Sequence, residues 1–168
     1  MTDTLIQEFL QCSIDTLRQH CGRIETCLGK LNSEQIWVRG GENQNAVGNL
    51  VLHLCGNVRQ WIVAGVGGAA DARQRSEEFA ARGGVGVSHL VEKLHTTVEE
   101  AAGVLQRVTP ERLAEALVIQ GYHTSGLNAI YHVVEHFSGH TGQILFLTKM
   151  LTGEDLGFYA YLNRTGSA

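Results

Sequence analysis

The N-terminal segment carries one unbroken apolar stripe of helical spacing, and this stripe limits the possible folds more than any other feature of the chain. Its members lie three or four residues apart, and they are Ile6, Leu10, Ile14, Leu17, Cys21, Ile24, Leu28 and Leu31. A stripe of this period covers one face of an α-helix, and that face must be buried against other elements. We therefore predict a long, core-facing helix over residues 4–31.

Three more segments repeat the helical period later in the chain. The predicted helices cover approximately residues 45–64, 88–108 and 126–151. Signals for β-strands are weak throughout the sequence, and a chain of this kind is expected to be all-α.

The connectors between these helices are long. Residues 32–44 contain a Gly-Gly pair and predict a turn, and residues 117–126 are predicted to form an irregular linker. Residues 65–87 are rich in Gly and Ala, which favours a loose loop over a lid, with a helical turn near residues 76–81. Long helices with connectors of about ten to twenty residues predict an all-α four-helix bundle with long crossover connections.

Composition narrows the class of protein. The chain has 168 residues, which suits a single domain over residues 1–168, and a net charge of −4 without a block of Lys or Arg. Nucleic acid and anionic membranes both need a basic footprint, so neither is expected as a partner. The N-terminus lacks the regions of a signal peptide, and a cytoplasmic location is expected.

The cysteines have no CxxC spacing, and we expect them to be reduced and mostly buried: Cys12, Cys21, Cys27 and Cys55.

The fourth predicted helix carries histidines at three successive turns. His132, His136 and His140 are each four residues apart, and Gln143 follows on the same side. Side chains at this spacing share one helix face, within about a quarter of its circumference. The apolar stripe of the same helix lies next to them. We therefore expect this polar row to point into the bundle or towards its mouth.

The second predicted helix adds His53, which flanks its apolar stripe and has Asn49 and Asn57 one turn on either side. His53, His136 and His140 are the predicted ligands of one divalent metal ion. A structural zinc site is closed by four protein ligands, whereas three imidazoles leave positions open. The pattern is therefore typical of a catalytic centre that acts on a small-molecule substrate.

The other polar residues near the row receive weaker assignments. His132 is a candidate hydrogen-bonding partner or proton shuttle beside the ligands, and Gln143 is a candidate for orienting a bound water. A lone histidine on a half-apolar face is more often simply packed, and a pair of histidines four apart also arises by chance. His20 is expected at the edge of the first helix, and His123 in an exposed loop.

Other chemistries fit the sequence less well. A di-iron carboxylate bundle needs two Glu-x-x-His motifs, and only the motif ending at His95 is present. A His-Glu-x-x-His motif, a Gly-x-Ser-x-Gly elbow, a P-loop and a dinucleotide fingerprint are all missing from the sequence.

Three stretches of the chain resemble the DinB/YfiT-like superfamily of metal-dependent enzymes. Residues 37–54, with Trp37-Val-Arg39 and His53, match the stretch that carries the first metal histidine of that family. Residues 135–143, which read Glu-His-Phe-Ser-Gly-His-Thr-Gly-Gln, match the stretch that carries the second and third. Residues 152–159 are similar to the tail of one uncharacterised branch.

The resemblance implies a four-helix bundle, often homodimeric, with nickel or zinc on the three histidines. It also implies a hydrolase or an S-transferase that uses a low-molecular-weight thiol. One departure concerns Thr141, because the common family member has Arg after the third histidine, where it could bind an anionic substrate or thiol. The alternatives are a non-catalytic metal-binding or stress-related bundle, and a helical interaction protein whose histidines are incidental.

Overall fold

The computed structural model describes the backbone of residues 2–164 and the side chains of residues 3–162. Its helices, in chain order, are α1 (Thr2–Leu28), α2 (Val47–Val58), α3 (Arg75–Ala80), α4 (Val87–Leu105), α5 (Pro110–Ala114) and α6 (Gly126–Thr152). A π-helical segment, Arg59–Val66, continues α2, and two strands, β1 (Ala116–Ile119) and β2 (Tyr122–Ser125), precede α6. Short 3-10 turns lie at Gln35–Trp37 and Ala160–Arg164.

Four of these helices form the predicted bundle. Helix α1 packs against α4 and α6, and α2 packs against the same two helices from the other side. The apolar stripe of α1 lies in the core between them, with Ile24 and Leu28 fully buried. Phe137 of α6 and Leu54 of α2 complete the centre of that core. The prediction of a four-helix bundle is therefore confirmed.

The linker before α6 differs from the prediction. Instead of an irregular segment, β1 and β2 form an antiparallel hairpin in which Ile119 pairs with Tyr122. Gln120 and Gly121 connect the strands with φ angles of 53° and 80°, as expected for a two-residue hairpin turn with positive φ at both positions. Ile119 is buried, and it packs so closely on Gly65 of the π-helical segment that a Cβ there would collide with it. Burial of one apolar residue thus stabilises a hairpin whose strand signal is weak.

The cysteines are free thiols, as expected, and all but one are buried. All four are free; Cys21, Cys27 and Cys55 are buried, whereas Cys12 is exposed. Burial raises the pKa of the Cys21 thiol to about 12 and that of Cys55 to about 11. A thiol with such a pKa is almost entirely protonated at neutral pH and a poor nucleophile. The buried cysteines therefore act as small core residues.

Within residues 2–164, the helices are either too short or too polar to cross a lipid bilayer.

Candidate metal centre

Two rows of polar side chains face each other across α2 and α6. The row on α2 and its π-helical continuation is His53, Asn57 and Trp61, each four residues from the next. The row on α6 runs in the opposite direction, so that His53 meets His136 and His140 while Trp61 meets His132. Both rows follow from helical periodicity, because positions four apart share one face. Packing of α2 against α6 places the two faces together.

Three imidazoles converge at one end of these rows. One ring nitrogen each from His53, His136 and His140 lies within 4.8 Å of the other two. The closest pair is Nε2 of His53 and Nε2 of His136, which are 2.9 Å apart. Two nitrogens bound to one tetrahedral zinc ion lie about 3.4 Å apart, so a small movement of the rings would accommodate an ion. The donor set therefore fits a divalent transition metal, with three nitrogen ligands.

Hydrogen bonds to Nδ1 direct two of these rings. Nδ1 of His53 lies 3.0 Å from Oε2 of Glu78, and Nδ1 of His140 lies 2.8 Å from Oε1 of Gln143. Both partners offer oxygen acceptors, which favours a proton on Nδ1 and a lone pair on Nε2, although Nη2 of Arg73 also lies 3.1 Å from Nδ1 of His53. An oxygen acceptor behind the ring is the usual arrangement around metal-binding histidines.

The acceptor behind His53 belongs to a buried ion pair. Glu78 accepts from Nε of Arg73 at 2.7 Å and from Nη2 at 2.8 Å, and the Arg73 side chain is only 3% exposed. Burial alone would raise the pKa of the Glu78 carboxyl, but the hydrogen bonds from Arg73 and His53 and the positive charge of Arg73 outweigh it, and the pKa is lowered overall. Glu78 is therefore an anion at neutral pH, and it is the acceptor for the His53 ring.

Helix α3, which carries Glu78, is held in place by a polar clamp. The fully buried Asn49 donates from Nδ2 to the carbonyl oxygens of Glu78 and Ala81, both at 2.9 Å. Arg39 donates from Nη2 to Oδ1 of Asn49 at 2.7 Å and to the carbonyl of Phe79 at 2.8 Å. These contacts explain why the connector before α2 carries Arg39. They also hold residues 76–81, predicted as a helical turn in a loose segment, in a fixed position beside the site.

The surroundings of the two α6 histidines in the cluster favour their neutral form. Burial, together with the neighbouring His140, His53 and His132, lowers the pKa of His136 to about 3. Burial also lowers the pKa of His140, against the hydrogen bond that its Nδ1 donates to Gln143, which raises it. Neutral imidazole is the form that binds a metal ion, so no proton has to be displaced at neutral pH.

The remaining predicted residues have different surroundings. The centroid of the His132 ring lies 4.3 Å from that of Trp61, with the two planes tilted by 47°, and 5.4 Å from that of His136. Gln143 contacts His140 directly. Thr141 is buried, and its hydroxyl donates to the carbonyl of Phe137 at 2.8 Å, so it serves packing within α6.

Sequence reasoning missed Glu78, Arg73 and Trp61. Glu78 and Arg73 lie in a segment of poor helix propensity, where a carboxylate gives no sign that it will be buried. Trp61 did leave a signal, because it is the third member of the spacing that begins at His53. His20 is 9% exposed on α1 and lies outside the cluster.

A cavity of about 680 Å³ opens beside the cluster. We call it the histidine cavity, and its lining residues are His53, Asn57, Trp61, Arg73, Arg75, Gln120, Tyr122, His123, Thr124, Asn128, His132 and His136. The hairpin contributes one wall. His123, expected in an exposed loop, is therefore an exposed residue on β2 that also lines this cavity. A substrate in the cavity would lie directly next to the converging nitrogens.

Comparisons with solved structures place the fold. A conserved protein from Enterococcus faecalis is similar over 86% of this chain and 97% of its own, with 16% identity and a TM-score of 0.73. A DinB-like protein from Bacillus subtilis is similar over 88% and 96%, with 16% identity and a TM-score of 0.67. A mycothiol-dependent maleylpyruvate isomerase is similar over 80% of this chain and 60% of its own, with 10% identity and a TM-score of 0.59.

At these identities the likeness concerns the fold alone. A comparison with curated proteins finds no match. The family model described as "Protein of unknown function (DUF1572)" matches residues 4–161, which is nearly the whole chain. The chain thus belongs to the DUF1572 family, and its fold is that of the DinB-like proteins.

Proposed function

We propose that this protein is a metal-dependent enzyme whose divalent ion, zinc or nickel, is held by His53, His136 and His140. The observation that carries the proposal is the convergence of three imidazoles beside an open cavity. Three protein ligands leave coordination positions for a substrate or water, as in catalytic rather than structural sites. A dedicated metal buffer has no need of such a cavity.

The residues around the ligands support this assignment. Glu78 and Gln143 accept the Nδ1 protons of His53 and His140, so that the Nε2 lone pair of each ring is available to a metal ion. A divalent ion held there would act as a Lewis acid that lowers the pKa of a bound water or thiol. Either nucleophile would then attack a substrate in the histidine cavity.

His132 is the candidate proton acceptor. Burial lowers its pKa, against a raising effect of Glu135, so the imidazole is neutral at pH 7 and able to accept a proton. Its ring lines the histidine cavity, one helical turn from His136. We propose that it takes the proton that the nucleophile releases, in either of two reactions: hydrolysis, or S-transfer from a low-molecular-weight thiol. The fold shared with a mycothiol-dependent isomerase supports the thiol branch.

Metal analysis of protein purified without a His tag tests the centre. We expect about one equivalent of zinc or nickel in the natural protein, and loss of that metal when His53→Ala and His140→Ala are combined. His95→Ala is the matched control, because His95 is an exposed histidine paired with Glu25, outside the cluster. Full metal occupancy in the double variant would overturn the assignment.

An activity screen then tests catalysis. Metal-loaded protein is incubated with low-molecular-weight thiols and electrophilic acceptors, and with ester and amide substrates. We expect thiol consumption or hydrolysis that disappears on chelation. A protein that binds its metal tightly and turns over neither class would be a non-catalytic metal-binding bundle. A cytoplasmic location and a homodimer are further proposals that go with this function.

A further inference from the structure

The histidine cavity has a charge pattern that a metal centre does not explain. None of its lining residues among those the structure describes is Asp or Glu, although the chain has 17 acidic residues. A second cavity, of about 440 Å³, lies on the other side of Arg73 and contains Asp71, Glu77 and Glu78. The carboxylates of this region thus lie behind the wall that Arg73 forms, and the histidine cavity is left with positive and neutral groups.

Arg75 supplies a positive charge that is available to a ligand. Its guanidinium lies 4.8 Å from the centre of the Phe79 ring and has no ion-pair partner among residues 3–162. Arg73 differs, because Glu78 neutralises it. An exposed guanidinium in an acid-free cavity attracts anions and binds carboxylates through parallel N–H groups.

Two buried side chains of the same cavity lack hydrogen-bond partners. Asn57 is 4% exposed and Trp61 is 6% exposed, and both line the cavity. Neither Oδ1 of Asn57 nor Nε1 of Trp61 has a partner within the part of the chain that the structure describes. A buried polar group without a partner is costly, so native structures satisfy such groups with water or with a ligand. Trp61 Nε1–H requires an acceptor, and the exposed ring of Tyr122, 6.3 Å from that of Trp61, offers a flat apolar surface.

We propose that the histidine cavity binds a small organic carboxylate that carries an aromatic or other planar group. The inference rests on the proposed function, since the same cavity opens onto the metal centre. Arg75 binds the carboxylate, Trp61 Nε1–H donates to an acceptor oxygen of the ligand, and the rings of Trp61 and Tyr122 contact its planar part. The bound molecule then lies beside His132 and the coordinating rings, where it can act as substrate.

Benzoate and benzamide are suitable probes, because they share their shape and differ in charge. Binding is measured by ligand-observed NMR and calorimetry on chelator-stripped protein, so that a carboxylate–metal bond cannot contribute. A charge-assisted hydrogen bond predicts that benzoate binds about tenfold more tightly than benzamide. Arg75→Gln should remove this preference and leave benzamide binding unchanged. Trp61→Phe, which keeps an aromatic ring but lacks the N–H group, should weaken both probes about equally.

Arg107→Gln is the matched control, because Arg107 is an exposed arginine away from this cavity that undergoes the same loss of charge. Equal binding of the two probes, absence of binding, or a preference that persists in Arg75→Gln would each overturn the inference. These measurements distinguish failure of the metal centre from failure of the carboxylate site. Zinc binding without a benzoate preference leaves only the metal centre, whereas an Arg75-dependent preference in a protein that binds no metal leaves only the carboxylate site.

Discussion

The carboxylate of Glu78 is expected to control both the stability of the protein and its affinity for metal, and substitutions can separate the two effects. Glu78→Gln keeps the shape of the side chain but removes the charge opposite Arg73, whose side chain is 3% exposed. Breaking a buried pair by removing one partner costs about 3–5 kcal/mol. At roughly 2–4 °C for each kcal/mol, Tm should fall by roughly 6–20 °C.

The effect on metal binding has a separate cause. Oε2 of Glu78 accepts from Nδ1 of His53 at 3.0 Å, and an amide oxygen is a weaker acceptor than a carboxylate. Loss of such a partner behind a coordinating histidine typically lowers metal affinity by about 10–100-fold. Zinc affinity is measured by competition with a chromophoric chelator, and unfolding by circular dichroism on metal-free protein. Glu77→Gln is the control, because Glu77 is its exposed neighbour on α3.

The double variant Arg73→Met with Glu78→Gln separates the two roles. It leaves no unpaired buried charge, so most of the lost stability should return. Metal affinity should stay low, because the His53 ring still lacks its carboxylate. If the stable double variant binds zinc as tightly as the unmodified protein, Glu78 does not orient the His53 ring, and its ion pair with Arg73 serves only stability.

Three further expectations concern pH, the clamp and assembly. Burial lowers the pKa of four histidines in the folded chain below 6.5, so the unfolded chain binds more protons below that pH and stability is lost as the pH falls; they are His20, His132, His136 and His140. Urea midpoints of metal-free protein should therefore decrease from pH 6.5 to pH 4.5, the ordinary pKa of Glu78, and less steeply in His136→Asn. A flat profile would contradict the lowered pKa values. Asn49→Ala removes the amide that joins α2 to α3, and the buried carbonyl of Glu78 and the buried N–H of Ala46 both lose it as their partner, at a cost of about 3 kcal/mol. Hydrogen exchange should quicken in α3 first, and unchanged protection there would exclude the clamp. Phe146 and Met150 are exposed apolar residues one turn apart on α6, and we expect this face to contact a second copy of the chain. Replacing both residues with Lys should then reduce the molar mass measured by light scattering from that of a dimer to that of a monomer. An unchanged mass would rule out this face as the interface.

The sequence by itself determined the helical architecture and the identity of the polar row. Helical periodicity is a local property, and a stripe such as that of α1 can be read without knowledge of its partners. The same logic placed His132, His136 and His140 on one face of α6, because a spacing of four residues leaves no other arrangement. The metal role of His53, His136 and His140 itself remains a prediction, although the structure brings their rings together.

Only the tertiary structure decided what surrounds those rings. The partner of His53 is Glu78, 25 residues further along the chain, and the two meet because Asn49 and Arg39 fasten α3 against α2. No period connects such residues, since their contact depends on the path of a connector and on hydrogen bonds over long sequence separations. The hairpin before α6 was missed for the same reason. Its four-residue strands are marginal alone, and burial of Ile119 against the π-helical segment stabilises them.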